Sequence, residues 1–228
     1  MRRIIVSEFM SLDGVIQAPG GPDEDPTGGF ALGGWTAPYF DEMMARVVGE
    51  VFDGPFDLVL GRKTFDIFAA HWPFVPTTPE ATGYDPAFAA VAEAFNGATK
   101  YVASRSEPVL PWTNSVWLGP DPVASLTALK ASGGAHLIVQ GSGDFLQALL
   151  AADLVDELNL FLYPVVLGQG KSLFAQGARP ARFDLVASRA SPKGVLITRF
   201  RRAGALETGS FALEEPTALE LERRLTLT

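Results

Sequence analysis

The chain contains no cysteine, only two histidines, and no apolar run of the roughly 18 residues that a membrane-spanning helix requires. Each absence removes a class of function. Without cysteine there is no disulfide, thiol nucleophile, iron–sulfur cluster or cysteine zinc site. His71 and His136 are far apart and show no ligand spacing, so no metal is expected. Positive charge is also scarce: 18 Lys and Arg stand against 26 Asp and Glu, a net charge of −8 that makes nucleic acid a poor partner. The start, Met1-Arg2-Arg3-Ile4-Ile5-Val6, carries too short an apolar stretch for a signal peptide. These features predict a soluble, cytoplasmic protein with no membrane partner. No Gly-x4-Gly-Lys-Ser/Thr loop is present, which argues against a nucleotide triphosphatase.

What is present is a chain of 228 residues, 47% hydrophobic, long enough for a substantial core. Its organising stretch is residues 136–146. The apolar run Leu137-Ile138-Val139 ends in Gly141-Ser142-Gly143, and a helical pattern opens with Phe145, Leu146, Leu149 and Leu150. A strand, a glycine turn and a helix start can together hold a phosphate on backbone N–H groups. Two other strand ends carry anion-compatible residues. The strand at 56–60 runs into Gly61-Arg62-Lys63-Thr64 and a short helix, and the strand at 100–103 runs into Ser104-Arg105. A bland reading stays open for each of them, since a cation at a helix N-terminus is disfavoured by the dipole and suits a solvated turn as well. Gly141-Ser142-Gly143 also fails the dinucleotide fingerprint, because Leu146 stands where a third glycine belongs.

Elsewhere, residues 3–10 read as a first strand. A loop rich in Gly, Pro and Asp follows from Gln17 to Trp35, long enough to be a functional lid. Thr36 is the expected N-cap of the next helix, with Pro38 in its first turn. Phe40, Met43, Met44, Val47, Val48 and Val51 recur at helical spacing. Asp41 falls on the flank of that stripe, where it either borders a pocket or serves the helix N-terminus. Further helices are expected over 84–96, after Asp121-Pro122 and after Gly143. Residues 158–163 alternate as a strand, and 164–171 continue as a turn-rich segment, read as binding or as a bulge. Residues 183–188 and 195–201 form a hairpin. The stretch 204–228 is charged and is read as a tail or docking arm, and 158–167 as a possible interface strand between two copies. Strands alternating with helices, followed by a hairpin, predict a mostly parallel α/β sheet. Three anion sites beyond strand ends suit an extended ligand with several phosphates, such as a dinucleotide.

Taken together, Ser11-Leu12-Asp13-Gly14, Gly61-Arg62-Lys63-Thr64-Phe65, Val102-Ala103-Ser104-Arg105, residues 137–143, Leu154-Val155-Asp156-Glu157-Leu158 and Pro164-Val165-Val166-Leu167-Gly168-Gln169-Gly170 follow a familiar order. The chain resembles the dihydrofolate-reductase-like superfamily, in particular the reductase domain of the riboflavin-biosynthesis deaminase-reductases, the RibD C-terminal family. The resemblance covers roughly residues 3–202. It implies a three-layer α/β/α domain over 1–203, a homodimer, and an NADPH-dependent reductase of a small pterin- or pyrimidine-like molecule. By that likeness Arg62, Lys63, Thr64, Ser104, Arg105, Gly141, Ser142, Gly143 and Asp144 would bind the cofactor. Asp13, Trp35, Phe40 and Glu42, with the 11–35 loop, would face substrate, and Asp41 would be the catalytic carboxylate on the first helix. The sequence departs from the riboflavin reductases at two positions: Ser7 stands where they usually carry Lys, and Gln140 where they carry Glu. With no cysteine the zinc site of the companion deaminase cannot be built, and the chain resembles the free-standing members. A non-catalytic NADP-binding scaffold or sensor is the alternative.

Overall fold

The computed structural model describes residues 1–174 and 178–227. An eight-stranded sheet forms the middle of the domain. Its strands are β1 (Ile4–Ser11), β2 (Phe56–Gly61), β3 (Lys100–Ala103), β4 (Ser115–Trp117), β5 (His136–Val139), β6 (Glu157–Tyr163), β7 (Arg182–Ala190) and β8 (Leu196–Gly204). Their spatial order is β4-β3-β2-β5-β1-β6-β8-β7. The first six run parallel, and β8 and β7 add antiparallel at one end. The expected mixed, mostly parallel sheet with a terminal hairpin is therefore the one observed.

Helices cover both faces. On one side α4 (Pro122–Ala131) and α5 (Gly143–Ala151) bury Leu126, Leu146 and Leu149 against Ile4, Val6, Leu137 and Val139. On the other, α1 (Glu42–Val51) sets Met44 and Val47 against Phe161, Tyr163 and Ile197. Beside it, α2 (Arg62–Ala69) and α3 (Pro86–Gly97) pack Phe65 and Phe95 on Leu58, Leu60 and Val102. Each such side chain contributes about 1.5–3 kcal/mol of burial. The alternation within β1 decides which residues meet which layer, since successive side chains point to opposite faces.

Three expectations need correction. Thr36 is not the N-cap of the first helix. Pro38 sits in a separate 3-10 turn, Ala37–Tyr39, Phe40 is extended, and the helix opens at Glu42 with Asp41 as its cap. Asp41 Oδ1 accepts the Met44 N–H at 2.9 Å, which a carboxylate does better than a hydroxyl because it also carries charge toward the helix dipole. The segment 164–171 is not a strand bulge but a strap laid over the start of the first loop. Leu12 N–H donates to the Val165 carbonyl, Ile16 N–H to Lys171 and Leu173 N–H to Gly14. Finally, residues 158–163 lie inside the sheet between β1 and β8 and offer no free edge to a second copy.

The stretch beyond Gly204 leaves the sheet. It ends in α6 (Ala218–Leu225), capped by Thr217, with Leu219 and Leu225 exposed. Thr228 lies outside the described residues.

Candidate functional site

The sheet order places the C-terminal ends of β3, β2, β5 and β1 side by side. The turns that follow these strands are adjacent and in contact. A Cβ on Gly61 would stand 2.0 Å from Ser142 Oγ, and one on Gly141 would stand 2.6 Å from Thr64 Oγ1. Gly141 also has φ +59, which favours glycine by itself. Thr64 Oγ1 and Ser142 Oγ are 3.3 Å apart, and the Gly141–Ser142 peptide is cis. These glycines let the two helix starts, α2 and α5, approach one another.

Neither helix start is closed by its own side chains. Gly61 caps α2 and Ser142 caps α5, both with no side-chain cap hydrogen bond, so the first-turn N–H groups of both helices remain open to an acceptor. Around them lies a cleft of about 1340 Å³. That exceeds the roughly 300–1,000 Å³ of a single-ligand pocket and leaves room for two molecules side by side. Arg62, Lys63, Thr64, Ser104, Arg105, Gly141, Ser142, Gly143 and Asp144 all line it. Arg62 holds the Asp66 carboxylate through Nε at 2.8 and 2.9 Å on the helix surface.

Away from these turns the wall is apolar. Phe40, Phe52, Phe68, Trp72, Phe88 and Phe95 contribute to it, with the Phe40 and Phe88 rings stacked at 6.4 Å. The long loop forms the remaining side through Gln17 to Asp25, and it is pinned along its length. The Trp35 indole N–H donates to the Gln17 carbonyl at 2.8 Å, Thr36 Oγ1 donates to Pro19, and Glu24 accepts from the Gly20 and Gly21 N–H groups. Lys171 reaches Asp25 at 2.5 Å. Gly170-Lys171-Ser172 matches the last three residues of a phosphate-binding loop, but its ammonium is engaged by that carboxylate.

The expected substrate residues divide. Phe40 lines the cleft. Asp13, Trp35, Asp41 and Glu42 are not among its lining residues. Asp13 latches the strap, accepting from Ser11 Oγ at 2.6 Å and from the Gly168 and Leu167 N–H groups. The Ser11 hydroxyl first, then those N–H groups, hold its carboxyl down at about 2. Trp35 is buried edge-on against Tyr163, and Glu42 is exposed. Asp41 keeps its second oxygen, Oδ2, buried with no hydrogen-bond partner. Tyr163, whose hydroxyl is likewise buried without a partner, is pushed well up by desolvation and then by the Asp41 charge.

Glu8 is a lining residue absent from the sequence expectations. Glu8, on β1, is 7% exposed, and its Oε1 accepts the Gly141 N–H at 2.5 Å. Burial raises its carboxyl to about 8, with the Gly141 N–H opposing and the Glu24 charge adding. The signal in the sequence was a single carboxylate inside a first strand whose other residues are apolar or serine, a position where an unpaired charge is expensive.

Comparison with known proteins identifies the fold and the family. A protein of Bacillus subtilis (strain 168), YyaP, of uncharacterised function, is 25% identical over 200 residues, covering 86% of this chain and 92% of that one. Among solved structures, a candidate riboflavin biosynthesis protein from Shewanella sp. PV-4 superposes with TM-score 0.55 at 21% identity, over 88% of this chain and 99% of that one. A pyrimidine reductase-like protein from Corynebacterium diphtheriae gives 0.55 at 13%, over 89% and 92%. Dihydrofolate reductase from Enterococcus faecalis, complexed with NADP(H) and RAB-propyl, gives 0.52 at 14%, over 88% and 96%. The fold is that of the dihydrofolate-reductase-like proteins. The family model of the RibD C-terminal domain matches residues 2–197, and the chain belongs to that family.

Proposed function

We propose that this protein is an NADPH-dependent reductase of a small heteroaromatic substrate, pterin-like or pyrimidine-like. The observation that carries the reading is the single cleft in which two uncapped helix starts, the cations at 62, 63 and 105 and an aromatic wall come together. The first-turn N–H groups of α2 and α5 suit pyrophosphate oxygens. Arg62 and Arg105 suit a further phosphate such as the ribose 2′-phosphate, for which a planar guanidinium is the matching donor. When bound, the cofactor would supply the hydride. The chain's own part is to hold the phosphates, to bury the reacting rings against Phe40, Phe88 and the loop 17–25, and to keep water out. Asp41 does not line that space, but it follows the lining residue Phe40 and keeps a buried oxygen without a hydrogen-bond partner, and on that ground it is proposed to meet the substrate ring. A cytoplasmic homodimer belongs to the same reading.

A second reading, a scaffold or sensor that binds NADP without turnover, is supported by Ser7 and Gln140. Both line the cleft where the riboflavin reductases usually carry Lys and Glu.

Titration with NADPH and NADH, followed by tryptophan fluorescence and melting temperature, tests the first reading. NADPH at 100 times its Kd stabilises the fold by about 2.7 kcal/mol, and NADH binds at least about tenfold more weakly if the arginines hold the 2′-phosphate. If neither nucleotide changes either signal, the reading fails. NADPH binding with no oxidation across pterins, pyrimidines and flavins selects the scaffold.

A further inference from the structure

Two glutamates are buried on neighbouring strands of the sheet and are treated differently. Glu157, 3% exposed, is ion-paired with both Arg3 and Arg201. Glu8, 7% exposed, has no cation within ion-pair distance among the described residues. The charged and titratable groups that line its cleft are Asp23, Glu24 and Asp25 on the loop, Lys171 on the strap, Asp144 on α5, Arg62 and Lys63 on α2, His71 after α2, and Arg105 after β3. Lys171 is engaged by Asp25 and Arg62 by Asp66, and Glu24 adds like charge. A bare carboxylate in that position has lost water and gained only one N–H in exchange, which does not offset the loss. The acid form is the one the surroundings accept. Its Oε1 is occupied by the Gly141 N–H, and Oε2, where the acid form would carry its proton, has no hydrogen-bond partner among the described residues. The protein has thus built a hydrogen-bond donor into the wall of the cleft, next to the turn that joins β5 to α5.

We propose that the Glu8 carboxyl group donates its O–H to an amide-type carbonyl oxygen of the ligand held beside Gly141. Such a carbonyl is carried both by the carboxamide of a nicotinamide ring and by the lactam of a pterin or pyrimidine. The inference rests on the reading of the cleft as an NADPH-dependent reductase site, and it adds the group that recognises the ring end of the ligand.

The test compares wild type with Glu8→Gln and Glu8→Leu at pH 6.5 and pH 9.5. Binding of NADPH is measured beside binding of 2′-phospho-ADP-ribose, which has the phosphates without the nicotinamide, and KM is measured for a lactam-bearing pterin. The glutamine side chain still donates an N–H and still accepts from Gly141 but does not titrate. Loss of the O–H in wild type at pH 9.5 is expected to cost about tenfold in affinity for the carbonyl partner, a loss that Glu8→Gln escapes and Glu8→Leu shows at both pH values. If the partner is the carboxamide, NADPH binding follows this pattern while 2′-phospho-ADP-ribose binds all three proteins alike. If it is the substrate lactam, KM follows the pattern and both nucleotides bind alike. The proposal is overturned if Glu8→Leu matches wild type in every arm, or if Glu8→Gln loses affinity with pH as wild type does. Wild type that binds neither nucleotide at either pH overturns the reductase reading, and the Glu8 proposal falls with it.

Discussion

Asp41 uses its two oxygens differently, and the difference can be measured. Oδ1 caps α1 and Oδ2 is buried without a partner. Asp41→Ala removes the cap and is expected to cost about 1 kcal/mol of stability. Asp41→Asn keeps an equally good cap and is expected to melt within a few tenths of a kcal/mol of wild type. A drop in kcat/KM of tenfold or more in the asparagine variant, at unchanged stability, assigns Oδ2 to the substrate. Full activity in that variant leaves Asp41 as a cap alone. Glu8 makes a separate prediction about folding. Its value in the folded state, about 8, lies above the ordinary 4.5. Below pH 4.5 both folded and unfolded chains hold the proton, and its contribution is complete. As pH rises the unfolded chain releases the proton first, so stability falls between pH 4.5 and 8 and the contribution is lost above that. The amount at stake is on the order of a few kcal/mol. Thermal melts of wild type and Glu8→Gln should therefore diverge as pH rises from 5 to 9, with wild type losing several degrees relative to the variant. Parallel curves would contradict a buried acid at this site.

At the scale of elements, the site depends on how closely the start of α2 approaches the start of α5. Gly61 has ordinary backbone angles, φ −68 and ψ 156, so its need for glycine is steric and not conformational. A methyl group there meets Ser142 Oγ at 2.0 Å and Ser142 Cβ at 2.6 Å. Gly61→Ala is expected to cost about 1–3 kcal/mol and to weaken nucleotide binding by parting the two turns. Removing the obstructing side chain, as in Gly61→Ala with Ser142→Gly, should recover part of both losses. A double-mutant cycle that comes out additive would show that the turns do not press on one another. Gly141→Ala has no such rescue, because its φ of +59 remains unfavourable when Thr64 is cut back. The strand–glycine–helix pattern at 56–65 and 137–146 was readable as two local motifs. That each glycine is required by the other motif was not, since the contact joins residues about eighty positions apart.

For the whole molecule, the parallel order β3-β2-β5-β1 assembles the cleft. The stretch after β8 takes no part in it: among the described residues from Gly204 onward all but Glu220 are exposed, and none lines the cleft. A chain ending at Gly204 is expected to melt within about 2 °C of the full chain and to bind NADPH unchanged, since segments that bury little contribute little. If the full chain is a dimer by light scattering and the shortened chain a monomer, the arm docks a second copy.

Composition and local pattern determined the class of fold, the three strand-end turns that line the cleft, and the absence of thiol, disulfide and cysteine–metal chemistry. Periodicity and Gly, Pro and Asp signals act over a few residues, and a single sequence carries them. Only the tertiary structure decided that three weak anion turns form one cleft, that Asp41 and not Thr36 caps α1, and that Asp13 and Trp35 tie down the loop. It alone brought Glu8 to Gly141, 133 positions away. The physical reason is that neighbours in a parallel sheet are joined through long crossovers. Which strand ends meet, and which buried carboxylate finds an arginine, depends on packing across the sheet and not on distance along the chain.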